Sequence, residues 1–198
     1  MPVSTYQTEG IVMVSVLTLW LPILVAAIIV FIVSSILHMV FSYHNSDFGG
    51  VAAEDDVRSA LRQFNIPPGD YIIPWAADNK ARNSDEFKAR ADEGPVAYMH
   101  VLPNGMGNMT TSLLQWFAYS LIVGIFAAYI AGRALPVGAD YLEVFRFAGC
   151  TAFVGYSLAL LQNSIWYKKS WSATLKSVFD GLIYALCTGG AFGWLWPA

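Results

Sequence analysis

The residues with the chemistry to do work are few in this 198-residue chain, and they cluster at three places. His38, His44 and Asp47 close a long apolar run, Glu143 and Arg146 sit three apart near the start of another, and Lys176 and Asp180 sit four apart in the last. Imidazole and carboxylate are common zinc ligands, so His38, His44 and Asp47 have the right types to approach one ion. A six-residue interval puts the two histidines on different faces of a continuous helix, and they meet only where that helix breaks. No metal ligand is therefore assigned. His100 stands apart, and no two histidines are placed to face one another as haem ligands. Each of the charge pairs Glu143/Arg146 and Lys176/Asp180 can join on one helical face, which explains such costly residues without a catalytic role. No Ser-His-Asp or Cys-His set stands out, and the glycines of residues 104–108 lack the lysine of a phosphate loop. No catalytic residue is assigned, and the cofactor stays unknown.

The elements that position these residues follow from composition. Hydrophobic residues make up 56% of the chain and charged ones 13%, and the apolar residues run in long blocks, the pattern of a membrane protein. A net charge of −3 offers no basic face for nucleic acid, so lipid is the expected surroundings and no nucleic-acid partner is expected. The blocks cover residues 11–41, 112–135, 141–166 and 173–196. The expected fold is an all-α membrane protein, with four transmembrane helices and a small α/β cytoplasmic subdomain between helices 1 and 2. Its divisions are 11–43 for helix 1, 44–111 for the subdomain and 112–198 for helices 2–4. The first block is about 31 residues where a bilayer needs about 20, and Pro22 is the expected bend. Residues 1–10 carry no Lys or Arg and the run after them exceeds a signal-peptide core, so helix 1 is expected to be retained.

Basic residues set the expected orientation. Arg58, Arg62, Lys80, Arg82, Lys88, Arg90, Lys168, Lys169 and Lys176 share one side, and Arg133 stands nearly alone on the other. Positive charge favours the cytoplasm, which puts the subdomain inside and both termini outside. Trp116, Trp166 and Trp171 mark one interface, with Trp20, Trp194 and Trp196 at the other. Within the subdomain, acids at 54–56 followed by Val57, Ala60, Leu61 and Phe64 predict a short amphipathic helix, stopped by Pro67, Pro68 and Gly69. Residues 71–73 and 96–101 read as strands, with a helical turn or two over 85–92.

Small residues recur every four positions in the membrane blocks. Ser177, Gly181, Ala185, Gly189 and Gly193 make one smooth face on the last helix. Gly124, Ala128 and Gly132 do so on the second, and Thr151, Gly155 and Ala159 on the third. Helices in lipid associate largely through such close approach, so these faces either pack the bundle internally or dock a partner or second copy. Cys150 and Cys187 lie in apolar blocks and read as small buried hydrophobes.

Taken as a set, residues 55–68, Gly94-Pro95 with Pro103-Asn104-Gly105, Gln115-Trp116-Phe117, Val144-Phe145-Arg146 and the stretch from Asp180-Gly181-Leu182 to Trp194-Leu195-Trp196-Pro197 resemble a group of uncharacterised bacterial membrane proteins. The resemblance spans nearly the whole chain and implies a bacterial inner-membrane setting and the same four-helix plan. It carries no activity. The expected function is non-enzymatic: an accessory or scaffold subunit of a larger membrane complex, or a homo-oligomer. The alternative is a small transporter or channel subunit, in which Gln115, Ser120, Thr151, Gln162 and Asn163 of several copies share an axis.

Overall fold

A computed structural model describes residues 13–198. The expectation that the N-terminal segment is retained rests on residues 1–10 and lies outside them. In chain order the elements are α1 (Trp20–Met39), α2 (Glu54–Gln63), β1 (Gly69–Ile73), α3 (Asn79–Arg82), α4 (Asp85–Glu93), β2 (Ala97–Val101), α5 (Met109–Ala134), α6 (Tyr141–Tyr156), α7 (Leu161–Ile165) and α8 (Trp171–Trp194). Turns of 3-10 helix occupy Tyr43–Ser46 and Leu158–Leu160. The chain divides into two compact units, residues 49–108 and the remainder.

The larger unit is a ring of four helices, in which α1 packs on α5 and α8, and α6 packs on the same two. Two apolar clusters fill it, one with Leu19, Ile23, Ala128, Ala148 and Phe192, the other with Val30, Val123, Ala152, Tyr156 and Tyr184. Three stretches, Trp20–Met39, Met109–Ala134 and Tyr141–Ile165, are long and apolar enough to cross a membrane. Helix α8 has the length, at 24 residues, but Lys176, Asp180 and its glycines dilute its apolar character. Four spans were expected, and three of them meet both measures among the described residues.

The first block is not one bent helix. Helix α1 begins at Trp20, so Pro22 falls in its first turn, where a missing N–H breaks no helical bond. Residues before it turn back onto the end of α5. The Val14 N–H donates to the Gly132 carbonyl at 3.0 Å, and Met13 bridges Pro136. A Cβ at Gly132 would sit 2.4 Å from the Val14 carbonyl oxygen, so only glycine fits there. The third block also differs from expectation. Helix α6 stops at Tyr156, and Ser157 leaves helical geometry with its hydroxyl on the Val178 carbonyl at 3.3 Å. Ala159 therefore lies in the 3-10 turn and is exposed, while the face α6 buries is Val144, Ala148, Ala152 and Tyr156.

The small unit spans Gly49–Asn108, narrower than the expected 44–111, because residues 43–48 are held by α8. Its strands pair antiparallel from Gly69 opposite Val101 to Ile73 opposite Ala97. Glu54, Asp55 and Asp56 complement the N-terminal dipole of α2. The Ser84 hydroxyl caps α4 by accepting from the Phe87 N–H at 3.2 Å, and Gly94 ends that helix at φ 70°. The expected helix over 85–92 and both expected strands are present.

Candidate functional site

The small-residue faces of α8 and α5 are spent within the chain, whereas Gly155 and Ala159 of the third block are exposed. A Cβ at Gly189 would lie 2.8 Å from the Phe145 carbonyl oxygen and 3.2 Å from the Gly149 Cα, which is α8 backbone pressed on α6 backbone. Along the same α8 face, Gly181 meets Ser157 and Tyr156, Ala185 is buried, and Gly193 faces the Tyr141 ring. Ser177 is half-buried and spends its hydroxyl on the Ala173 carbonyl of its own helix. On α5, Gly124 meets Ile23 of α1 and Ala128 is fully buried. On α6, Gly155 rests against Val123 of α5, and Thr151 hydrogen-bonds the Phe147 carbonyl of its own helix.

The charge pairs do not form as their spacing suggested. Lys176 Nζ donates instead to Asp47 Oδ1 at 2.8 Å, to Ser46 Oγ at 2.8 Å and to the Tyr43 carbonyl at 2.6 Å. Asp180 accepts from His44 Nε2 at 2.7 Å and from the Tyr43 hydroxyl. The physical reason is the end of α1 at Met39, after which the 3-10 turn lays Tyr43, His44 and Asp47 against α8 and offers both α8 charges closer partners than each other. Glu143 and Arg146 are exposed, and no ion pair within 4 Å joins them among the described residues. Arg146 instead edges an apolar groove of about 400 Å³ lined by Ile130, Phe147, Cys150, Thr151 and Val154.

That same turn brings the two histidines together. The rings of His38 and His44 stack with centroids 4.6 Å apart and planes 9° from parallel. His38 Nδ1 lies 3.0 Å from the Ser34 carbonyl, an atom that only accepts, so Nδ1 donates there, and in the neutral ring the lone pair sits on Nε2. His38 Nε2 points toward Asp180 Oδ2, 4.0 Å away. His44 Nδ1 is engaged by Asp47 Oδ2 at 2.6 Å, and its Nε2 meets the same Asp180 oxygen. His38 Nε2, His44 Nε2 and the Asp180 carboxylate lie within 4.8 Å of one another. Asp180 is 3% exposed, His44 half-buried, and His38 open at 52% of its side chain.

The electrostatics follow from these contacts. Burial opposes the cationic form of His44, but its hydrogen bonds to Asp47 and Asp180 outweigh that and hold its pKa above the ordinary imidazole value. The hydrogen bond from Lys176, then that from His44, holds the Asp47 carboxyl below the usual range. Burial, then the bond to Asp180, raises the Tyr43 phenol. The cluster thus sets two carboxyl groups, Asp47 and Asp180, against one lysine and one imidazole. One turn beyond Asp180, the Tyr184 hydroxyl is buried without a hydrogen-bond partner among the described residues, its ring 5.6 Å from those of Trp116 and Tyr156. Trp116, expected at an interface, turns inward and donates to Ser34 Oγ at 2.8 Å.

Sequence spacing groups His38 and His44 with Asp47, whereas the structure brings Asp180 to both histidines and puts Asp47 behind His44. The only available signal was the condition that the helix break after His38. Comparison with protein-family models, curated proteins and solved structures finds no match. The class is defined by the fold alone: a helical chain consistent with a multi-pass membrane protein, carrying a small two-stranded α/β unit.

Proposed function

We propose that the chain is a four-span protein of a bacterial inner membrane, with the Gly49–Asn108 unit cytoplasmic, acting by assembly as an accessory or scaffold subunit or as a homo-oligomer. The observation that supports this reading is how the charged groups are used. Asp180, His44, Asp47 and Lys176 are spent on one another, forming a clasp between the end of α1 and the start of α8. A general acid or base needs a proton or lone pair directed at a substrate, and a clasp instead fixes helix ends. Helix α8 fits as the fourth span because its two charged residues, Lys176 and Asp180, are engaged by the turn at 43–47, and pairing of this kind is the condition under which membrane helices tolerate charge. The transporter alternative gains nothing here, since Ser120 and Thr151 each donate to a carbonyl of their own helix.

Two measurements test it. The mass of the particle extracted in mild detergent should exceed that of one 21.7 kDa chain plus its micelle, through a second copy or a co-purifying membrane protein. A monodisperse monomer would overturn the assembly reading. A Lys80→Cys variant should resist an impermeant thiol reagent in intact cells, and ready labelling above the background of Cys150 and Cys187 would overturn the orientation.

A further inference from the structure

We propose that His38, His44 and Asp180 form a binding site for a divalent first-row transition-metal ion of the zinc type, which bolts the end of α1 to α8. The inference stands on geometry independent of the assembly reading above.

Three features carry it. The ligand atoms are two imidazole nitrogens and a carboxylate oxygen within 4.8 Å of one another, a donor set that suits zinc and its neighbours. The outer contacts are also those of a metal site. A metal-bound histidine characteristically donates its second ring N–H to a carbonyl or carboxylate, which fixes the tautomer and aims the free lone pair. Here both histidines do so, His38 to the Ser34 carbonyl and His44 to Asp47, and Lys176 in turn holds Asp47. The Tyr43 hydroxyl holds Asp180 Oδ1, leaving Oδ2 for the ion. Lastly, the site is asymmetric in a useful way. Asp180 and His44 are fixed and buried on one side, and half-exposed His38 forms the open side, giving the ion an entry and a position for water.

Binding needs small movements. An ion about 2.0–2.2 Å from each ligand cannot lie between rings stacked in parallel, because nitrogen lone pairs lie in the ring planes. The His38 ring must turn toward Asp180 Oδ2, and the 2.7 Å contact between His44 and Asp180 must widen by about 0.6–0.9 Å for a tetrahedral ion. The ion replaces the proton between His44 Nε2 and Asp180, and that proton leaves to solvent. Among the described residues His38 adds no hydrogen bond to the clasp, only the stack on His44 and the 4.0 Å approach to Asp180, and its hydrogen bond is to its own helix. It can therefore be removed without dismantling the cluster.

The test uses the full-length protein in detergent, stripped with a chelator and titrated with Zn2+, then with Co2+ as an optical probe. Elemental analysis after gel filtration should give about one zinc per chain, and Co2+ should show ligand-field bands of a low-coordinate nitrogen and oxygen site. Zinc should raise the thermal unfolding midpoint. His38→Ala should keep the metal-free midpoint, abolish the zinc-induced rise and weaken binding at least about tenfold. Asp47→Asn, which loosens the contact behind His44, should weaken it by about 10- to 100-fold. Substoichiometric zinc in the wild-type protein would overturn the proposal. Unchanged affinity in His38→Ala would overturn it as well, since the ion would then sit elsewhere, for instance at His100 and Asp70.

Discussion

Against α6, helix α8 comes so close at Gly189 that a methyl group would sit 2.8 Å from the Phe145 carbonyl oxygen, whereas against the end of α1 it stands off behind a layer of charged side chains. One seam is a matter of shape and the other of charge. The first has no room to relax, because the obstructing atoms are backbone, and it is indifferent to solution conditions. The second tolerates changes of size at its open edge, where His38 is half exposed, and answers to protons, salt and metal. A single helix thus carries a permanent joint and an adjustable one, separated by about two and a half turns between Asp180 and Gly189.

The largest expected effect lies in the seam of shape. Gly189→Leu should cost about 3 kcal/mol or more in unfolding free energy, and Gly189→Ala about 2, because overpacked side chains force backbones apart. Leu186→Phe, on the exposed side of the same helix, should change it by less than about 0.5 kcal/mol. Equal tolerance at the two positions, measured by thermal or denaturant unfolding in detergent, would dissolve the distinction.

The next effect breaks the seam of charge. Lys176→Met leaves Asp47 without its first partner and should cost about 1–2 kcal/mol, less than a fully buried pair because both groups keep some exposure. Combined with Asp47→Asn, it should cost clearly less than the sum of the two single changes, since the pair is then removed together. Strict additivity would mean that the two groups do not act as a unit.

A third expectation sharpens the comparison through pH, with chelator present. The groups facing His44 are Asp47, Asp180 and Tyr43, with His38 stacked on its ring and Lys176 behind Asp47. His44 has a raised folded-state pKa, so its contribution is complete below the unfolded value near about 6.5 and fades as pH rises through the folded one. Asp47 has a lowered pKa, so its contribution is complete above about 3.9 and is lost as pH falls through the folded value. The clasp should be strongest between about pH 4 and pH 6.5. Gly189→Ala should show the same pH dependence as the wild type at lower stability, and His44→Gln should flatten its alkaline limb. A Gly189→Ala variant that changed the shape of the profile would show that the seams are coupled.

The smallest effect is expected at Glu143 and Arg146. Neither is buried or ion-paired with the other, so Glu143→Ala should alter stability by less than about 0.5 kcal/mol. A larger loss would reveal a second seam of charge at the other end of the bundle.

What the sequence made legible follows from how local each signal is. The stripe of Val57, Ala60, Leu61 and Phe64, the acids before it and the Pro-Pro-Gly stop all act within the stretch 54–69, and α2 and the strand pair are present as the sequence predicts. The four-residue spacing of Gly181, Ala185 and Gly189 likewise marks a helix face, though not which helix it meets. The end of α1 was not legible, because Met39, Val40 and Phe41 contain no proline or glycine and the turn is held by Asp180 and Lys176, more than 125 residues away. Pro22 misled for the opposite reason. Its ring marks a boundary either as a kink or as a first turn, and only the packing of Leu19 and Val14 beneath α5 decides between them. The interruption at Ser157 is of the same kind, a serine drawn out of its helix by a carbonyl of α8.

The separation of the clasp's two halves along the chain has a consequence for biosynthesis. His44 and Asp180 are 136 residues apart, so at about 5–20 residues per second the ribosome delivers the second roughly 7–27 seconds after the first. Through that interval His44 and Asp47 stand at the end of the first helix without their α8 partners. A message cut short before codon 180 yields a product that never covers them. The joint between the end of α1 and α8 therefore closes only after residue 180 has been made, late in synthesis.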